Sequence, residues 1–483
     1  MMMRQGLLMV TLLACVWLAA GKSSPTCSHY VGSIQTANLR ENLLSLQAIA
    51  DNNNNTRAVG TSGYNASVVY IVDTLKKFAD CEISLQPFTI SKWTSTQPPT
   101  FAQVSPSPQN FTDFSLIQNS GSGTATGTVA SPSGDGIGCD SADWAGFPAG
   151  SIALVLRGTC DFATKVGNAQ AAGATAVLIS NTNNGAGFTG SMPTLQPFVV
   201  LGIAASIGNM LKGEAAPVVT VSASTTVVAT PTQNVLCATP QGDTTSQIVI
   251  GSHLDSVPAG PGINDNGSGT SVLLQLAIQA YRNKISIKNQ IIFAWWSGEE
   301  GGLLGSTYFV SVANKANIAL NINNDMLGSP NGIRQILNGA NANEPIRPAS
   351  TAIQRLYEDY FSANNLPYAM KDFNGRSDYG PFIAQNIPAG GLATGAEVIK
   401  NMTERSIYGG LANTPYDPCY HQPCDTIENI NWTYLLQMGQ ASAFALESLT
   451  GQDDLQAYLG GPIPKSDAPS DMQYSNDGPI YFR

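Results

Sequence analysis

The sequence predicts an α/β protein: a mostly parallel sheet covered by helices, interrupted by a smaller α+β insert. From Gln247 onward, short apolar runs alternate with segments of helical spacing. That alternation is what a parallel sheet with helical crossovers requires. Near Pro98 the composition shifts toward Pro, Ser, Gly and Thr, and it stays so to about Gly136. The chain has 483 residues, 43% of them apolar. That suffices for two or three domains with buried cores and argues against global disorder.

Taken in order, Arg4 precedes the apolar run LLMVTLLACVWLAAG, which ends in small residues. This is the plan of a signal peptide, with cleavage expected after Ala20 or Gly21. The run is short for a bilayer span, and no later stretch is long and apolar enough for one. The expected location is therefore extracellular, or the lumen of a vacuole or lysosome, with no stable membrane anchor. IQTANLRENLLSLQAIA has helical spacing, and the asparagines at 52–55 form a loop. GYNASVVYIVDTLKKFA reads as a second helix, with Val68, Val69, Val72 and Leu75 as its apolar stripe. CEISLQPFTI reads as a strand. Short strands follow, then the strand and turn SIALVLRGTCDF and the helix and strand ATKVGNAQAAGATAVLISN. The insert closes near VVTVSASTTVVATP. QIVIGS is a buried strand, and GTSVLLQLAIQAYRN is a helix with Ser268 as its expected N-cap. The strand NQIIFAWWS, the helix GLLGSTYFVSVAN and the strand NIALNINND come next. Beyond Gly451 the chain is polar and carries no readable motif.

A formal charge of −10 argues against a nucleic-acid partner, because no basic stripe is available to neutralise phosphates. Of eight cysteines, Cys15 leaves with the leader and seven remain, so at least one is unpaired or pairs between chains. Cys419 and Cys424 are close enough to bridge locally. Cys139 with Cys160 is a second expected pair and Cys27 with Cys81 a weaker third, leaving Cys237 as a buried thiol. Six sequons occur, at Asn54, Asn65, Asn110, Asn266, Asn401 and Asn431.

Open α/β sheets bind ligands beyond the carboxyl ends of their strands. His253 follows QIVIGS, Glu299 and Glu300 follow IIFAWWSG, and Asp325 follows IALNINN. Asp265 lies in the loop GINDNGSG, and His421 is clipped between cysteines in CYHQPC. The chain has only three histidines, and two stand here. Singly, a His-x-Asp, a Glu-Glu or an Asp in an Asn/Gly loop is weak, since each is commonly a turn or a solvated face. Together, at consecutive strand ends, they suit a two-zinc hydrolase. Asp265 would bridge the ions. His253 with Asp325 would hold one, and Glu300 with His421 the other. The metals would lower the pKa of water toward roughly 7 and so supply hydroxide at neutral pH. Glu299, not needed as a ligand, would act as general base. Asp255 would orient the His253 imidazole from outside the ligand set. The third histidine, His29, fits no site and is expected at the surface.

At these residues the chain resembles the secreted two-zinc leucyl aminopeptidases of bacteria and fungi. The matching segments are RAVGTSGYNAS, GSHLDSV, GINDNGSG, WWSGEEGGLLGS, NNDMLG, GRSDYGPF and CYHQPCDT. The resemblance implies a zinc-peptidase α/β/α sandwich and places the ligands on His253, Asp265, Glu300, Asp325 and His421, with Glu299 as base. It also implies that Tyr420 steadies the oxyanion, that Asp265–Asn266 is a cis peptide, and that Asn266 carries no glycan. The run ALVLRGTCDFATKVGNAQAAGATAVLISN resembles a protease-associated domain, in which Arg157 and Asp161 are structural. The implied organisation is a signal peptide at 1–21, a peptidase domain at 24–110 and 231–451, a protease-associated insert at 111–230, and a polar tail at 452–483.

The leading reading is a secreted, monomeric aminopeptidase acting on peptides with free, preferably apolar N-termini. A carboxypeptidase or dipeptidase on the same fold would need a basic cluster for the substrate carboxylate. Arg376 in GRSDYGPF is the only arginine in these motifs and is the candidate substrate contact. A binding protein on a dead peptidase fold would have lost ligands, and none is lost.

Overall fold

A computed structural model describes residues 28–465, apart from 183, 191 and 193. The expected leader and Cys27 lie outside these residues. Among the described residues no helix is long and apolar enough to cross a membrane.

Helices α1 (His29–Ser33), α2 (Thr36–Asp51) and α3 (Ser62–Phe78) come first among the described residues. The side chain of Thr61 caps α3 by accepting from the Tyr64 amide. The buried stripe of α3 is Tyr64, Val68, Ile71 and Leu75, a repeat of three to four residues. Val69, expected in that stripe, lies one residue and so about 100° around the helix from Val68, and it is 57% exposed.

Strands β1 (Glu82–Ser105), β2 (Gln109–Asn110), β3 (Phe114–Leu116), β4 (Gly123–Ala130) and β5 (Ile152–Leu156) lead into α4 (Phe162–Ala171). Strands β6 (Ala176–Ser180) and β7 (Val200–Ile203), helix α5 (Ala205–Gly213) and the long β8 (Val218–Ala238) complete the insert. Strands β4 to β7 are parallel neighbours, and β3 closes the far edge antiparallel to β7.

The composition break near Pro98 is not a break in the backbone. β1 runs through it and pairs with β8 along its whole length, from Glu82 opposite Ala238 to Ser105 opposite Val218. Register shifts between Ser95 and Thr100 take up the prolines, which cannot donate to a ladder. The two strands form one ribbon that serves both domains. β8 pairs with β4 at one end and with β10 (Asn289–Trp296) at the other.

This ribbon also corrects the cysteine reading. Cys81, one residue before β1, is bonded to Cys237, so Cys237 is not a free thiol and Cys81 does not pair with Cys27. The partners are 156 residues apart and meet only through strand register, which spacing along the chain does not reveal. Cys139–Cys160 and Cys419–Cys424 are bridged as expected.

Beyond β8 and β10 the sheet adds β9 (Asp243–His253), β11 (Ile318–Asn324), β12 (Gln335–Leu337), β13 (Ala369–Lys371) and β14 (Ala389–Ala393). Its order is β13-β12-β14-β11-β9-β10-β8, with β14, β11, β9 and β10 parallel. Alternate residues of β9 face opposite layers. Ile248 and Ile250 pack with helices α6 (Gly269–Asn283), α8 (Arg347–Ala363) and α11 (Trp432–Thr450). Val249 packs with Phe309 of α7 (Leu304–Val312) and Phe382 of α9 (Gly380–Ala384). Burial on both faces explains why these strands read as unbroken apolar runs. Short helices α10 (Met402–Tyr408) and α12 (Leu455–Tyr458) flank α11.

Candidate active site

The parallel strands deliver their polar residues to one edge. His253 ends β9, Glu299 and Glu300 follow β10, Asp325 follows β11, and Asp265 sits in the turn before α6. His421 arrives on the loop between α10 and α11. Asp265 stands at the centre. Its Oδ1 is 3.2 Å from His253 Nε2 and its Oδ2 is 3.1 Å from His421 Nε2. His253 Nε2 is 3.4 Å from Asp325 Oδ1, and His421 Nε2 is 3.1 Å from Glu300 Oε2. Glu299 Oε2 lies 4.0 Å from His253 Nε2.

Two groups of potential ligand atoms result: His253, Asp265 and Asp325, and Asp265, Glu300 and His421. Within each group the atoms lie within 4.8 Å of one another. The donor chemistry, imidazole and carboxylate, fits zinc. His253 Nε2 and Asp325 Oδ1 are buried without a hydrogen-bond partner, as atoms that await a cation would be. Electrostatics agree. Burial pulls the two imidazoles toward neutrality, but the carboxylates around them outweigh it and raise both pKa values well above the ordinary range. Burial likewise raises Asp265, yet the imidazoles on either side hold its carboxyl below the usual range. The cluster carries more negative charge than its own groups neutralise, and a divalent cation would offset it.

Asp255 does two jobs. Its backbone carbonyl sits 3.0 Å from His253 Nδ1. A carbonyl only accepts, so a proton stays on Nδ1, and Nε2 is the ring nitrogen turned to the cluster. The Asp255 carboxylate, expected to hold the imidazole, is 3.8 Å from Nδ1. It instead accepts the amides of Gly298, Glu299 and Glu300 at 2.9, 3.2 and 3.4 Å. It therefore shapes the turn that presents both glutamates. Burial, then the neighbouring carboxylates of Glu300, Asp325 and Asp378, push the Glu299 carboxyl well above its usual pKa. That makes it a stronger base than an exposed glutamate.

Tyr420 stacks on His421 with ring centroids 3.8 Å apart. Burial raises its pKa, so its hydroxyl stays protonated and able to donate. Arg376, the candidate substrate contact, donates to Glu397 Oε1 at 2.6 Å and is engaged within the fold. His421 has a left-handed backbone, φ 57°, which a non-glycine residue holds only where its surroundings enforce it. The Cys419–Cys424 bridge encloses it. The expected N-cap of α6 is corrected. Ser268 is already helical, and its hydroxyl donates to the Asn264 carbonyl and accepts from Leu327 N. The Gly269 amide is capped by Asn266 Oδ1. The Asp265–Asn266 peptide is cis, and Asn266 is fully buried, which leaves no room for a glycan.

Several supporting residues carry no signal in the sequence beyond their presence in the motifs. Ser377 donates to Asp325 Oδ2 at 2.6 Å and accepts from Asn323 at 2.7 Å. Arg57, fully buried, donates to the carbonyls of Leu254, Pro261 and Gly262. Away from the site, Asp161 caps α4 and Arg157 lies over the Phe188 ring. His29 is exposed beside Asn283.

The chain is similar to known proteins. The model of peptidase family M28 matches residues 234–446, and that of the PA domain matches 125–226. An aminopeptidase of Pseudomonas aeruginosa is 36% identical over 446 residues, covering 86% of this chain and 81% of its own. A probable leucine aminopeptidase 2 of Aspergillus fumigatus is 35% identical, covering 82% of this chain and 80% of its own. The structure of a zinc aminopeptidase from Bacillus subtilis superposes with a TM-score of 0.63 at 22% identity, covering 86% of this chain and 95% of its own.

Proposed function

Because the chain belongs to peptidase family M28, carries a PA domain and is an aminopeptidase, we propose that it is a secreted two-zinc enzyme removing apolar N-terminal residues from peptides. The observation that carries this reading is the pair of ligand groups sharing Asp265. One zinc would be held by His253, Asp265 and Asp325, the other by Asp265, Glu300 and His421. Zinc, when bound, supplies Lewis acidity, which acidifies water and polarises a carbonyl.

The chain's own groups do the rest. Glu299 takes the proton from the attacking water and returns it to the leaving amine. Tyr420 donates to the scissile carbonyl oxygen as negative charge develops on it. The carboxylates of Glu299 and Asp325 face the free ammonium of the substrate. Three disulfides support an oxidising location.

Blocked substrates test the reading. Leucyl amide and leucyl peptides lose their N-terminal residue one at a time. N-acetylation abolishes cleavage, while C-terminal amidation changes it little. Cleavage of the acetylated peptide from its C-terminal end would replace the aminopeptidase with a carboxypeptidase. A strong chelator abolishes the activity and zinc restores it, a result checked by metal analysis alongside the assay.

The loop at Cys419 gives a further expectation. A bridge closing so small a loop is worth only about 2 kcal/mol through chain entropy. Its role is to keep Tyr420 and His421 in register. The double variant Cys419→Ser, Cys424→Ser therefore lowers the melting temperature by a few degrees but weakens zinc binding or turnover roughly tenfold or more. A variant with wild-type turnover and wild-type zinc affinity would show the bridge to be irrelevant to the site.

A further inference from the structure

Asp265 is flanked by two fully buried asparagines, Asn264 and Asn266. Their partners do not overlap. Asn266 Oδ1 accepts from Gly269 N at 2.9 Å and from Met326 N at 3.2 Å. Its Nδ2 donates to Ser252 Oγ and to the Asn324 carbonyl, both at 3.0 Å. Ser252 is the chain neighbour of His253, and Asn324 and Met326 are the neighbours of Asp325. Asn266 thus ties Asp265 to the two other ligands of the first group. The fit is tight, since a Cβ on Gly269 would collide with Asn324 O and Asn266 Oδ1.

Asn264 touches the segment after Asp325 but, unlike Asn266, also reaches the side of His421. Its Nδ2 donates to Asp417 Oδ2 at 2.6 Å and to Ser329 Oγ at 3.1 Å, and its Oδ1 accepts from Gly328 N at 3.0 Å. Asp417 also accepts the Cys419 amide at 2.8 Å, at the start of the loop that carries His421. Asp425, at the end of that loop, accepts the amides of Asn264 and Asp265 at 2.9 and 3.0 Å. The two carboxylate oxygens of Asp265 divide in the same sense, Oδ1 toward His253 and Oδ2 toward His421.

We propose that Asn266 and Asn264 are positioning residues that divide the metal centre between them. Asn266 holds Asp265 in register with His253 and Asp325. Asn264, through Asp417, holds it in register with His421. The proposal rests on the two-zinc reading. A merely structural role, a helix cap and a buried polar filler, would predict something else: either substitution would weaken zinc binding at both groups alike.

The test is zinc affinity of the full chain, measured by competition with a chromophoric chelator after the native metal is stripped. Two backgrounds isolate the groups. Glu300→Ala leaves the His253 group intact, and Asp325→Ala leaves the His421 group intact. In the Glu300→Ala background, Asn266→Ala weakens zinc about 10- to 100-fold, and Asn264→Ala weakens it less than about threefold. In the Asp325→Ala background the order reverses. Equal weakening in both backgrounds overturns the proposal. If circular dichroism shows that an alanine variant fails to fold, Ser252→Ala and Asp417→Asn remove one partner from each side and must give the same split at smaller size. The unmodified chain is titrated in parallel. Two zinc ions there with no split among the variants defeats the division alone, whereas a single zinc defeats the two-zinc reading and the division with it.

Discussion

Glu299→Gln loses turnover by roughly 10²-fold or more and keeps its zinc. The amide preserves size and hydrogen bonding but cannot accept the proton. The residue next to it gives the opposite result. Glu300 Oε2 lies 3.1 Å from His421 Nε2, and Glu300→Ala loses metal from that group. Zinc content and kcat, measured on both variants, separate base from ligand. If Glu299→Gln lost metal while Glu300→Ala kept it, the two roles would be exchanged.

Arg57→Met destabilises the folded peptidase domain by about 3–5 kcal/mol. The guanidinium donates to three buried carbonyls of the loop 254–262, and this loop joins His253 to Asp265. Burial lowers the Arg57 pKa to about 10 against the pull of Asp255 and Asp425, so the group is charged at neutral pH. Removing it leaves three carbonyls without partners in a buried place. Each unsatisfied group costs about 1–3 kcal/mol before the loop relaxes. Calorimetry of the zinc-stripped protein reads the loss as a melting temperature lower by roughly 10 °C. Arg57→Lys recovers little of it, because one ammonium cannot reproduce the planar fork. A methionine variant that melts with the wild type would mean that the loop holds its shape unaided.

The candidate cluster was legible in the sequence because of the sheet. Strands buried on both faces read as apolar runs, so the first polar residues after them stand out, and His253, Glu299, Glu300 and Asp325 all lie there. What the sequence hid depends on geometry across the fold. The prolines at 98 and 99 look like a boundary, but register shifts carry β1 past them. Cys81 and Cys237 meet through that same pairing. Asp255 stands two residues from His253 in the chain, yet its carboxylate turns toward the amides after β10. Asn264 and Asn266 look like ordinary turn formers in a glycine-rich loop. Only their partners, about 60 to 150 residues further along the chain, set them apart from turns of that kind.

Diffraction from crystals of the zinc-loaded protein, recorded on both sides of the zinc absorption edge, examines the metal centre most directly. Two anomalous peaks about 3.5–4 Å apart are expected, with one oxygen of Asp265 on each. His253 and Asp325 should touch one peak, and Glu300 and His421 the other. A single peak, or two that do not share Asp265, would contradict the two-zinc centre.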